Sequence, residues 1–178
     1  MKKTFIVAEA GNNHEGSFQR ALKMIDLAKD AGVDAIKFQT HIAEKESTYD
    51  EKFRIKMSKK YKNRFDYWKK TSFSKAEWKK LILFSKKKNI LFLSSVFSIE
   101  AVELLYSLGQ RVFKIGSGEF FSKEILNRII ELNCSMIIST GMSYNYEISK
   151  LVKYLKTKKA KFVIMQCTSS YPCDFSNV

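Results

Sequence analysis

Six short runs rich in β-branched and aromatic residues recur along this 178-residue chain, at 4–8, 35–39, 90–94, 112–115, 136–139 and 162–166, with helix-forming segments between them. Each run is nearly continuous in apolar character, the pattern of a strand covered on both faces in a parallel sheet. The segment 18–31 sets Ala21, Leu22, Ile25, Leu27 and Ala28 on an apolar stripe, and Gly32 follows as a stop. Segment 74–88 opens with Ser74-Lys75-Ala76-Glu77, the spacing of a capping box. Further helices are predicted at 98–108, before Gly109, and at 122–132 and 144–155. Alternation of this kind implies right-handed crossovers and a parallel sheet, either open and doubly wound or curled into a barrel. No internal repeat or linker divides residues 1–178, so one domain is expected. The stretch 41–72 is irregular and too long for an ordinary connection; it carries Tyr49, Phe53, Tyr61, Phe65, Tyr67 and Trp68, and loops of that size are usually functional.

Composition excludes several classes. The longest apolar runs, such as 90–93 and 162–165, are far shorter than the roughly 18–20 residues of a membrane span. The start reaches Glu9 before the roughly 7–15 apolar residues of a secretory signal can accumulate; a cytoplasmic protein is expected. Cys134, Cys167 and Cys173 form neither a CxxC spacing nor an even set, so they are read as structural thiols. The net charge of +14 belongs to one segment: residues 52–88 hold 15 lysines and arginines against Asp66 and Glu77. Lysines outnumber arginines 27 to five, whereas phosphate and base recognition favours the planar arginine fork. That imbalance points to a solvated basic face rather than a nucleic-acid site.

The chemistry gathers at the carboxyl ends of the strands, where α/β sheets and barrels build their sites. Strand one leads into Glu9-Ala10-Gly11-Asn12-Asn13-His14-Glu15-Gly16, and strand two reads Lys37-Phe38-Gln39-Thr40. Ser94-Ser95 ends strand three, Lys114-Ile115-Gly116-Ser117-Gly118-Glu119 strand four, Ser139-Thr140-Gly141-Met142 strand five, and Cys167-Thr168-Ser169-Ser170-Tyr171-Pro172 strand six. Lys37 and Lys114 lie inside otherwise apolar strands, where an unpaired ammonium costs several kcal/mol. With the hydroxyls of Ser95, Ser117 and Ser139 they could cradle a ligand bearing phosphate and carboxylate; alternatively they pair with Glu9 and Glu119 in a structural network. Gly116 and Gly118 lack the third glycine of a dinucleotide fingerprint. His14 and His41 have no partner at ligand spacing and are not expected to hold a metal. Glu15 is open between general acid/base or sugar-hydroxyl acceptor and a helix-terminal acid stabilised by the macrodipole.

Taken together in this order, these motifs resemble the sialic acid synthase family. The resemblance covers nearly the whole chain and is weakest over 41–72; Val96 stands where the family usually has proline, and Gln166 where it has histidine. It implies a (β/α)8 TIM barrel, of which this chain carries the first six strands and five helices. It also implies condensation of phosphoenolpyruvate with N-acetylmannosamine or a related amino sugar, assisted by manganese or magnesium, in a homodimer. By the same resemblance Lys37, Ser95, Lys114, Ser117 and Ser139 contact phosphoenolpyruvate. Gln39, Glu119, Ser169 and Tyr171 line the sugar pocket, and Glu15 is an acid near the reacting centre. The family's metal-binding histidines and its C-terminal antifreeze-like domain correspond to positions beyond Val178, so the chain is expected to be the N-terminal part of such an enzyme and inactive alone. The competing expectation is a non-catalytic interaction protein using the basic 52–88 segment.

Overall fold

The computed structural model describes residues 4–53, 60–170, 172–174 and 176. The chain divides into two units, Met1–Gly109 and Gln110–Val178.

In the first unit, β1 (Val7–Gly11), β2 (Ala35–Thr40) and β3 (Leu91–Val96) are parallel neighbours. Their register sets Glu9 opposite Lys37 and Gln39 opposite Ser95. The β1–β2 ladder slips between Glu9 and Gly11, so Gly11 faces Phe38. Helix α1 (Phe18–Asp30) starts where the Ser17 hydroxyl accepts from the Arg20 N–H, and it buries Ala21, Ile25 and Ala28 against Ile36, Phe38, Trp78 and Leu81. Helix α4 (Lys75–Lys87) has the capping box read from Ser74 and Glu77. Helix α5 (Ile99–Ser107) is capped by Ser98. Lys75, Lys79 and Lys80 on α4 are exposed, so described lysines of the basic segment do face solvent.

Two sequence expectations change here. The first strand occupies Val7–Gly11 rather than 4–8, because Phe5 and Ile6 stand more than half exposed and the parallel ladder begins at Val7. The irregular 41–72 stretch contains α2 (Ala43–Glu46) and α3 (Arg64–Thr71), so helical segments number more than the five crossovers expected. The Asn63 side chain caps α3 by accepting from the Asp66 N–H. Phe65, Tyr67 and Trp68 are buried with Ala43, and Phe53 and Tyr61 pack on them. The aromatics of the excursion thus form a small core of their own.

In the second unit, β4 (Val112–Ile115), β5 (Ser135–Ser139) and β6 (Lys161–Met165) are likewise parallel. A single 3-10 turn (Ser117–Glu119) precedes α6 (Lys123–Glu131), and α7 (Asn145–Thr157) connects β5 to β6. Phe113, Ile115, Ile125, Leu126, Ile129, Met136, Ile138 and Leu155 are buried. β6 departs from the expectation of a strand covered on both faces: Val163 and Met165 are exposed and Phe162 and Ile164 half-buried.

The turn after β1 depends on Gly16. Its φ is +79°, and a Cβ there would stand 2.6 Å from the Lys70 carbonyl oxygen of α3. Gly32 shares the positive φ (+74°) but faces open space. Gly16→Ala should therefore lower stability by about 3 kcal/mol, combining left-handed strain with a backbone clash, and Gly32→Ala by about 1 kcal/mol. Urea denaturation of the two variants checks the difference.

Candidate functional site

In the first unit, strand register brings Lys37 beside β1 and β3. Its ammonium sits 2.5 Å from Glu9 Oε2 and donates to Ser95 Oγ at 3.0 Å. The lysine side chain is 11% exposed and the Glu9 side chain 52%, so the cation is desolvated while its counter-ion reaches solvent. Of the two readings left open for Lys37, ion pairing with Glu9 is present, and Ser95 is at the same ammonium. Gln39, two residues on and opposite Ser95, is half-buried. Its amide nitrogen lies 3.7 Å from where a Cβ on Gly11 would stand.

Glu15 is set differently. It follows a turn closed by Glu15 N–H donating to the Asn12 carbonyl at 3.0 Å, adopts φ +50°, and pairs with Arg20 on α1 at 2.8 Å. Both partners are largely exposed. Its described partner is thus a helix cation rather than the Lys37 cluster.

The second unit gathers its own group. Lys114, 8% exposed, donates to Ser139 Oγ at 2.5 Å and to the Ile115 carbonyl at 2.7 Å. Cys167 Sγ lies 3.1 Å from the same Ser139 hydroxyl, a contact that no spacing in the sequence announces. Gly141 N–H donates to Ser117 Oγ at 3.1 Å. A Cβ at Gly141 would collide with the hydroxyls of both Ser117 and Ser169, so the missing side chain is what lets those two serines converge. The Glu119 carboxylate folds over Gly116, where a Cβ would meet Oε2 at 2.5 Å. Lys114, Ser117, Ser139 and Ser169 therefore belong to one neighbourhood. Tyr171 lies outside the described residues.

Neither histidine is arranged for a metal. His14 is 1% exposed, stacks on Phe73 at 4.4 Å, and accepts from the Gly16 N–H through Nδ1; its Nε2 has no hydrogen-bond partner among the described residues. His41 engages Glu46 with one nitrogen and Gln39 with the other. Among the described residues no group of three or more His, Cys, Asp or Glu could hold a metal ion. The divalent cation implied by the resemblance does not fit the described residues. Among the same residues no helix is long and apolar enough to cross a membrane.

Residues 24–178 match the NeuB family. The chain belongs to the NeuB family. It is 39% identical to the N,N'-diacetyllegionaminic acid synthase of Campylobacter jejuni, over all of this chain and 55% of that protein. It is 34% identical to the pseudaminic acid synthase of the same organism, over 96% of this chain and 51% of that one. Among solved structures, the N-acetylneuraminic acid (sialic acid) synthetase from Leptospira borgpetersenii, determined with citrate, superposes with a TM-score of 0.83 at 34% identity, covering 98% of this chain and 57% of the other. This NeuB-family chain thus spans about half the length of the curated relatives it matches. The fold class read from the sequence stands: α/β, with six parallel strands alternating with helices, as in the (β/α)8 class to which the resemblance pointed.

Burial sets a pH dependence. His14 is pushed down from 6.5 to about 4, first by desolvation and then by the charges of His41 and Arg20. A histidine depressed in the folded state favours folding above the unfolded value, and that contribution is lost as pH falls from 6.5 toward 4. Acidification to about pH 4.5 should cost on the order of 2 kcal/mol through this group. His14→Phe should flatten that part of the stability profile, measured by urea denaturation across the same pH range.

Proposed function

We propose that this protein takes part in condensing phosphoenolpyruvate with an acetamido sugar to give a nine-carbon sialic-acid-type product and phosphate. The observation that carries this reading is the pair of desolvated lysines, each inside a parallel strand and each hydrogen-bonded to a serine in the carboxyl half of the next strand: Lys37 with Ser95 and Lys114 with Ser139. Membership of the NeuB family and likeness to three sialic-acid-type synthases agree with it.

In this reading Lys37, Ser95, Lys114, Ser117 and Ser139 hold the phosphate and carboxylate of phosphoenolpyruvate. Charge-assisted bonds from buried ammoniums are worth more than the same contacts in water, and they offset negative charge as phosphate departs. Glu9, half-exposed on Lys37, yields its place to the incoming anion. By the resemblance, Gln39, Glu119, Ser169 and Tyr171 are proposed as sugar contacts, and Glu15, which pairs with Arg20, is proposed as an acid that would have to leave that cation to act near the reacting centre. Enzymes of this family generally use a divalent metal; its ligands are proposed to lie outside residues 1–178, with the rest of the barrel and the antifreeze-like domain. The whole protein is proposed to be cytoplasmic and homodimeric, and residues 1–178 alone to be inactive. Which sugar is taken follows from the relatives only as a class, since their names span legionaminic and pseudaminic acids.

Titration calorimetry with phosphoenolpyruvate tests the anion site. Lys114→Ala should weaken binding by one to two decades, the worth of a charge-assisted contact of roughly 1.5–3 kcal/mol. Lys79→Ala, on the exposed face of α4, should leave affinity unchanged. The reverse ranking would move the activity to the basic segment and favour the interaction-protein reading.

A further inference from the structure

His41 and Glu46 form a pair whose side chains are each only 5% exposed, and neither belongs to the proposed substrate contacts. The imidazole is clamped between Trp68, with ring centroids 3.5 Å apart, and Phe97 at 4.1 Å, both planes within 12° of its own. It is therefore fixed in tilt and position. Glu46 is fixed too: Oε1 accepts from the Ile42 N–H at 2.5 Å, and Oε2 faces His41 Nδ1 at 2.6 Å. The far nitrogen, Nε2, lies 3.1 Å from Gln39 Oε1. A chain of contacts thus runs from a backbone amide through a carboxylate and a clamped ring to the one amide side chain assigned to the sugar.

We propose that the Glu46–His41 pair is a positioning device for Gln39, its proton count deciding which end of the Gln39 amide is held by the ring and which end is offered to a ligand. The bookkeeping follows from the donors and acceptors available. With two protons on the pair, Nε2–H donates to Gln39 Oε1 and the amide NH2 is offered. With one proton, Nδ1–H donates to the Glu46 carboxylate and Nε2 is a bare acceptor. The Gln39 amide then turns by half a revolution, gives its NH2 to the ring and offers its carbonyl oxygen. The two ends of the amide have nearly the same shape, so the turn meets little steric resistance.

The groups around the ring choose between these states. Glu46 on α2 favours the second proton, while burial and the Arg64 charge on α3 oppose it; Arg64 is itself paired with Glu51 at 2.5 Å. His14, held neutral by its own burial, adds no charge against His41 near neutral pH. Burial is the largest of these influences and holds His41 below its ordinary value. Near neutral pH the pair carries one proton and Gln39 offers an acceptor, suited to a hydroxyl or acetamido N–H of the sugar. The sugar part of this inference rests on the proposed function; the positioning of Gln39 does not.

Glu46→Gln separates the two. Ile42 N–H still needs an acceptor, so the introduced amide keeps its oxygen there and turns its NH2 toward Nδ1. That forces the Nε2–H tautomer and locks Gln39 with its NH2 outward. Imidazole and side-chain amide nitrogen resonances near neutral pH should show Nδ1 protonated in the parent and Nε2 protonated in the variant, with the Gln39 amide signals shifted between them. Calorimetry with N-acetylmannosamine in the presence of phosphoenolpyruvate should show sugar affinity about tenfold weaker in the variant, and phosphoenolpyruvate affinity unchanged. The same tautomer in both proteins, or Gln39 signals indifferent to the substitution, would overturn the positioning role. A tautomer switch with unchanged sugar affinity upholds positioning and removes Gln39 from the sugar site.

Discussion

An ammonium group drawn into a parallel strand must find oxygen partners within reach or raise the free energy of the fold by several kcal/mol, and this chain accepts that demand twice. Lys37 meets it with Glu9 from the neighbouring strand and the Ser95 hydroxyl. Lys114 meets it with the Ser139 hydroxyl and a backbone carbonyl. Register sets Glu9 directly opposite Lys37, whereas Ser95 and Ser139 each lie two residues beyond the position paired with the lysine, on the same face of the neighbouring strand, so each ammonium reaches along the strand to its hydroxyl. Small residues then make room: Gly141 admits Ser117 and Ser169, and Gly116 admits the Glu119 carboxylate.

The two histidines show how one residue type is put to different uses by its surroundings. His14 is packed on Phe73 beneath the first turn, where desolvation holds it neutral. His41 keeps both nitrogens engaged between aromatic faces. The excursion that supplies Trp68 and Glu46 therefore does more than connect β2 to α4: its small aromatic core fixes the ring that touches Gln39. A long, aromatic-rich insertion after a strand is understandable on those terms.

Much of the fold was legible in the residues. Continuous apolar runs located the strands, and the Ser74 and Glu77 pair located the start of α4 to the residue, because caps and periodicity are local signals. The displacement of β1 to Val7–Gly11 and the exposure of β6 were not, since whether Phe5 or Val163 is covered depends on what another part of the chain puts over it. α3 gives no clear local signal, since its eight residues are too short for a sustained period and its buried aromatics, Phe65, Tyr67 and Trp68, are recognisable as one side of a helix only from what they pack against.

For the site, the sequence by itself determined which groups the strands and the turns after them carry: two lysines, Ser95, Ser139 and Gln39 by strand position and period, and Glu119 by its place in the turn after β4. Only tertiary structure decided the partners. Lys37 and Glu9 are 28 positions apart and Lys114 and Ser139 are 25; the grip on His41 comes from Trp68, 27 positions away, and Phe97, 56 away. Contacts of that range are set by sheet register and by the packing of an inserted helix. Neither leaves a periodic trace in the residues between them, whereas strand, cap and turn are written within a few neighbours.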